Sequence, residues 1–201
     1  MIVLFGPAGS GKGTQGKALS EIFGWRWIAT GPIVREDGRW NALIDKGNVV
    51  PDEAMYEILT RELAKTEAEG YDVVLDGFPR NAAQAEWLLA ESGHTMDGGI
   101  VLEVPREELY KRLMMRAGAD GRADDQEKSS IDRRFAIYEQ NIEKILQVLE
   151  KHGVPVVHVD GVGDQGEVTD RLVDVVKAMV PSATEQDDDV NGEEIEKSYG
   201  E

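Results

Sequence analysis

The chain has 201 residues, 41% of them hydrophobic and 30% charged, and a net charge of -17. That balance fits one soluble domain with a sizeable core, and it excludes a fibrous or wholly disordered chain. The excess of acid argues against a nucleic-acid partner, and the absence of cysteine excludes disulfides and any cysteine-built zinc site.

The first apolar run, Ile2–Phe5, stops at Gly6, has no basic lead-in and is far too short to span a bilayer. A cytoplasmic protein with no membrane partner is expected. Further runs rich in Val, Ile and Leu lie at 71–75, 100–104 and 154–159, with a weaker one at 25–29. They lack strict alternation, as strands buried on both faces of a parallel sheet do.

Between them come helical stretches: Lys12–Phe23, 51–69 with its acidic start at Asp52 and Glu53, 81–91, 106–116, 126–151 and 167–179. The clearest is 126–151, where Ile131, Phe135, Tyr138, Ile142, Ile145 and Leu149 form one apolar stripe. Strand and helix alternate throughout, which predicts an α/β fold with helices on both faces of a parallel sheet. Ligands of such sheets bind beyond the carboxyl ends of the strands.

Two segments stand outside this alternation. Residues 31–50 are polar and punctuated by glycine, and 117–125 (AGADGRADD) read as a polar loop; both are candidate lids. From Pro181 onward eight acidic residues face the single Lys197, which predicts a disordered tail over 181–201.

The strongest motif is GPAGSGKGT at 6–14, directly after a strand and before a helix. Glycines let the backbone curl so that its N–H groups point inward, and the helix N-terminus adds partial positive charge. Lys12 can then reach the β- and γ-phosphates of a nucleotide. The lysine is followed by Gly13, and the hydroxyl comes one place later, at Thr14. At the end of a central strand stands Asp76-Gly77-Phe78-Pro79-Arg80. An aspartate there is well placed to hold Mg²⁺ together with Thr14, directly or through water, and Arg80 can make a forked contact to a phosphate.

GPAGSGKGTQ, TGPIVR, DGFPRNAAQ, RLMMR, GRADD and the Arg133-Arg134 pair occur in that order over about 1–180. In order and spacing they resemble the adenylate kinase family of nucleoside monophosphate kinases, in its short-lid form. The resemblance implies a three-layer α/β/α phosphate-loop fold with a five-stranded parallel sheet and two small closing flaps. It implies a cytoplasmic, Mg²⁺-dependent and zinc-free monomer that moves a phosphoryl group from ATP to AMP.

By position, Gly9, Ser10, Gly11, Lys12, Gly13 and Thr14 would hold the ATP phosphates, with Arg112 on the adenine. Arg116, Arg122 and Arg134 would converge on the transferring phosphates with Lys12, Arg80 and Asp76. Thr30, Arg35, Asn48, Val50, Gly77, Arg80, Gln84, Arg122 and Arg134 would line the acceptor side. Thr30 and Gln84 favour AMP, whereas Asn81 points toward a UMP/CMP kinase. Pro32 stands where the family usually has aspartate, and the acceptor flap is shorter than usual. Both motivate a further alternative, a nucleotide-binding module with an impaired acceptor site.

Overall fold

A computed structural model describes residues 1–120 and 123–181. The elements in order are β1 (Ile2–Phe5), α1 (Lys12–Phe23), β2 (Arg26–Ala29), α2 (Thr30–Asp37), α3 (Asn41–Ile44), α4 (Asp52–Ala68), β3 (Val73–Asp76), α5 (Ala82–Ala90), β4 (Gly98–Glu103), α6 (Arg106–Asp120), α7 (Ala123–Gln126), α8 (Lys128–Lys151), β5 (Val156–Asp160) and α9 (Gln165–Met179). The strands form one five-stranded sheet in the order β2-β3-β1-β4-β5, parallel throughout.

Successive side chains of β1 point to opposite faces of the sheet. Ile2 and Leu4 pack with Leu19 and Phe23 of α1 and Val168, Leu172 and Val176 of α9. Val3 and Phe5 pack with Met55, Leu59 and Leu63 of α4, Leu88 of α5 and Ile145 and Leu149 of α8. A smaller cluster, Leu109, Leu113, Ile131 and Phe135, joins α6 to α8. The sheet is thus covered on both sides, in three layers.

The order of strands positions the site. β1 lies between β3 and β4, so the direction of winding reverses beside it and a crevice opens at the carboxyl ends. The pairing of Leu4 with Asp76 brings the end of β3 next to the end of β1. The phosphate loop, which leaves β1, therefore begins beside the aspartate that closes β3.

Several sequence-based boundaries shift. β3 starts two residues later than the 71–75 run and reaches Asp76; Tyr71 is exposed, with the Arg26 guanidinium over its ring at 4.6 Å. β5 is an edge strand with only Val159 fully buried, so burial on both faces does not hold there. The 31–50 segment contains α2 and α3. Pro32 falls in the first turn of α2, where a missing N–H removes no helical bond. The 106–116 helix runs on to Asp120, and α7 follows, so the described part of the 117–125 segment is helical. Ala117 and Ala119 are strong helix formers and account for the extension. Arg122 and the tail from 182 lie outside the described residues.

Candidate active site

The loop between β1 and α1 is built on glycine. Gly9 and Gly11 take φ of 83° and 100°, values L side chains rarely adopt, and Gly11 caps α1 from the left-handed region. Lys12 Nζ folds back and donates to the carbonyls of Gly6 (2.7 Å) and Pro7 (2.9 Å). Burial pushes the Lys12 ammonium down to about 8; Asp76 opposes the shift, while Arg80, Arg116 and Arg134 reinforce it.

Across the crevice, Gly77 has φ 87°, and a Cβ there would lie 2.5 Å from Thr30 Oγ1 and 3.4 Å from Arg80 Nη2. Only glycine permits that approach of α2 to the chain leaving β3. Thr30 is buried and its hydroxyl donates to Asp76 O at 3.3 Å. Arg80 Nε donates to Gly77 O at 2.7 Å, which aims the guanidinium along the cleft. Solvent reaches Arg80 through the open cleft although protein surrounds it. Loss of water lowers its pKa; Asp76 opposes that, Arg35 and Arg134 add to it, and Asp124 opposes it.

A third wall comes from α6, α7 and α8. Asp124 and Asp125 are buried and organise the arginines. Arg116 donates two bonds to Asp125, at 2.6 and 2.9 Å. Arg134 donates to Asp124 Oδ2 (2.8 Å), Asp124 O (2.6 Å) and Asp125 Oδ1 (2.6 Å). Arg35, from α2, reaches Asp124 Oδ2 at 3.1 Å. Burial pushes the Asp125 carboxyl up, but the bonds from Arg116 and Arg134 outweigh it and hold the group below its ordinary value. Arg112 is held by Glu108 (3.0 Å) and Gly161 O (3.1 Å).

These walls enclose a cleft of about 790 Å³, within the usual range for small-molecule sites. Every described candidate residue lines it: the loop from Gly9 to Thr14, Thr30, Arg35, Asn48, Val50, Asp76, Gly77, Arg80, Gln84, Arg112, Arg116 and Arg134. None of the three histidines does. His152 meets Glu86 and His158 meets Glu103 on the surface, each at 2.7 Å.

Tyr138 and Ile142 of the apolar stripe line the cleft, Ile142 also packing against the core; burial raises the Tyr138 phenol to about 12. Periodicity fixes which face of a helix is apolar, not whether that face meets side chains or a ligand. Trp27, Glu108 and Gly161 also line the cleft without having carried any sequence signal. Asn81, read as a hint of pyrimidine specificity, is the N-cap of α5: its side-chain oxygen accepts from Gln84 N at 2.8 Å.

Hard oxygen donors, the Thr14 hydroxyl and the Asp76 carboxylate, stand at the phosphate loop. Among the described residues there is no cluster of three or more metal-ligating side chains. That donor set fits Mg²⁺, which keeps waters and is held largely by substrate phosphates, and does not fit an ion caged by protein alone.

Phosphoryl transfer asks for positioning and positive charge rather than covalent help. A phosphate loop at the switch point, faced by arginines on every other wall, makes this molecule a phosphotransferase of the phosphate-loop class. Residues 4–154 match the adenylate kinase family. An adenylate kinase of Thermus thermophilus is 36% identical over 182 residues, covering 85% of this chain and 94% of that one. Adenylate kinases of Micrococcus luteus (38% over 194 residues, 91% and 93% covered) and Thermobifida fusca (36% over 188 residues, 88% and 98% covered) are similar to it as well. The chain belongs to the adenylate kinase family.

Proposed function

We propose that this protein reversibly transfers the γ-phosphoryl group of ATP to AMP, giving two ADP. The observation that carries this reading is the gathering of Lys12, Arg35, Arg80, Arg112, Arg116 and Arg134 around one cleft in a chain of net charge -17. An acidic protein concentrates cations this way where anionic charge must be bound and stabilised.

Gly9 to Thr14 cradle the ATP phosphates, Arg112 covers the adenine and Arg116 reaches the phosphates. Thr30, Arg35, Asn48, Val50, Gly77, Arg80 and Gln84 receive AMP. Lys12, Arg80, Arg116, Arg122 and Arg134 surround the group in transfer. Thr14 and Asp76 hold Mg²⁺, directly or through water; when bound it screens phosphate charge. The carboxylates of Asp124 and Asp125 keep Arg116 and Arg134 in place before nucleotide arrives, so little reorganisation remains for the reaction itself.

The flaps at 31–50 and 117–125 belong to one kinase domain, 1–180, and close over the two nucleotides to keep out water. The enzyme works as a cytoplasmic monomer, and 181–201 is an appendage to it. No helix among the described residues is long and apolar enough to cross a membrane. The capping role of Asn81 removes the residue that pointed to a pyrimidine acceptor, and the relatives named above are adenylate kinases.

Arg80→Ala is expected to lower the rate of ADP formation from Mg·ATP and AMP by roughly a thousandfold or more, as loss of an arginine on the transferring phosphate does. A folded Arg80→Ala enzyme with undiminished turnover would overturn this assignment of the site.

A further inference from the structure

Gln84 is the side chain through which the cleft reads the acceptor base, and its amide is not free to turn. It is 1% exposed. Its Oε1 accepts from the backbone N–H of Arg80 at 2.7 Å, and its Nε2 donates to Asp52 Oδ1 at 2.8 Å. An amide can present its oxygen and nitrogen either way round, and here two partners that cannot exchange roles decide the matter. A backbone N–H can only donate, and a carboxylate can only accept.

Asp52 does not line the cleft. It is half-buried in the first turn of α4, 32 residues from Gln84 in sequence. Both its oxygens also accept from Asn81 Nδ2, each at 3.1 Å. Asn81 in turn caps α5, the helix that carries Gln84. The carboxylate therefore fixes Gln84 twice, through the amide itself and through the cap of its helix.

We infer that Asp52 is a specificity-positioning residue: by locking the Gln84 amide it makes the acceptor site select a 6-aminopurine over a 6-oxopurine monophosphate. This rests on the reading that Gln84 meets the acceptor base. After its two internal bonds, the amide retains one N–H and one oxygen lone pair. Adenine offers an acceptor at N1 and an amino donor beside it; a 6-oxopurine offers N1–H and a carbonyl, the reverse pattern. The monophosphate is anchored elsewhere, at Arg35 and Arg80, so the base cannot slide to regain the match. A freely turning amide would serve either base; a locked one serves adenine and leaves buried polar groups mispaired against its rival.

The test compares kcat/KM for AMP and IMP, with Mg·ATP as donor, in the wild type, Asp52→Ala, Gln84→Ala and the double variant. Asp52→Ala is expected to lower the AMP-over-IMP ratio by about tenfold or more, through KM for AMP and IMP, with KM for ATP unmoved. In the Gln84→Ala background the same change should leave the ratio where Gln84→Ala alone puts it, since Asp52 acts through that amide. A folded Asp52→Ala enzyme with the wild-type ratio overturns the inference, as does an equal effect in both backgrounds. If Asp52→Ala does not fold, Asp52→Asn replaces it in the same comparison, because an amide at 52 can turn either end toward Gln84. Wild-type enzyme that makes no ADP from AMP contradicts the parent reading instead, so the two failures are distinct.

Discussion

Lys12 shows how one side chain couples the free and bound states. In the free enzyme its ammonium is satisfied by the carbonyls of Gly6 and Pro7, and burial brings its pKa to about 8. Phosphate oxygens arriving in the loop favour the charged form and raise that pKa. Above about pH 8, nucleotide binding must therefore take up a proton, and affinity for Mg·ATP should fall as pH rises. Calorimetric titration between about pH 7 and 9.5 should show Kd rising from near pH 8, with proton uptake visible in buffers of different ionisation heat. A flat Kd across that range would contradict the account. In stability the shift acts the other way: the buried charge is a full cost below about pH 8, relieved as pH rises toward 10.5.

Between elements, the contacts that matter most join parts distant in sequence. Arg35 of α2, Arg116 of α6 and Arg134 of α8 meet on two carboxylates of the four-residue α7. Asp125→Ala should destabilise the protein by about 3 kcal/mol at neutral pH, because it takes from Arg116 the buried carboxylate that holds it and from Arg134 one of its two. The carboxyl is held below its ordinary 3.8, so its contribution is present above that pH and is lost as pH falls through the lower folded value. Urea unfolding should show wild type and variant converging below about pH 3.8; a gap that stays constant into acid would contradict this assignment.

This is also the scale at which the sequence was least legible. The phosphate loop and Asp76 could be read because each is a local motif at a strand end. The partnership of Asp52 with Gln84, and of Asp124 with Arg35, could not, since nothing in either segment names the other. The helices of 31–50 and 117–125 were missed because glycine and charge mark turns and solvated helices alike. That Tyr138 and Ile142 line the cleft could not be read either, because an apolar stripe looks the same whether it meets a sheet or a cleft.

For the whole molecule, strand order does the assembling. With β1 between β3 and β4, the phosphate loop, Asp76 and the chain to Arg80 share one rim, and α2 and α8 close on it from either side. The 31–50 segment is tied across the cleft by Arg35 to Asp124, by Ser130 Oγ to Asp45 O at 3.2 Å, and by Arg133 to Asn48 at 3.3 Å. The segment that carries Pro32 thus keeps contacts to the opposite wall. The alternation of strand and helix announced this architecture, and the motif order its family; the edge position of β5 could not be read, because a run of valines is the same at an edge as in the middle.

The most direct measurement is ADP formation from Mg·ATP with AMP, CMP, UMP and GMP offered in parallel. Fast turnover with AMP, and much slower turnover with the other three, is the predicted result. Preference for a pyrimidine monophosphate, or tight ATP binding with no turnover of any acceptor, would contradict the account.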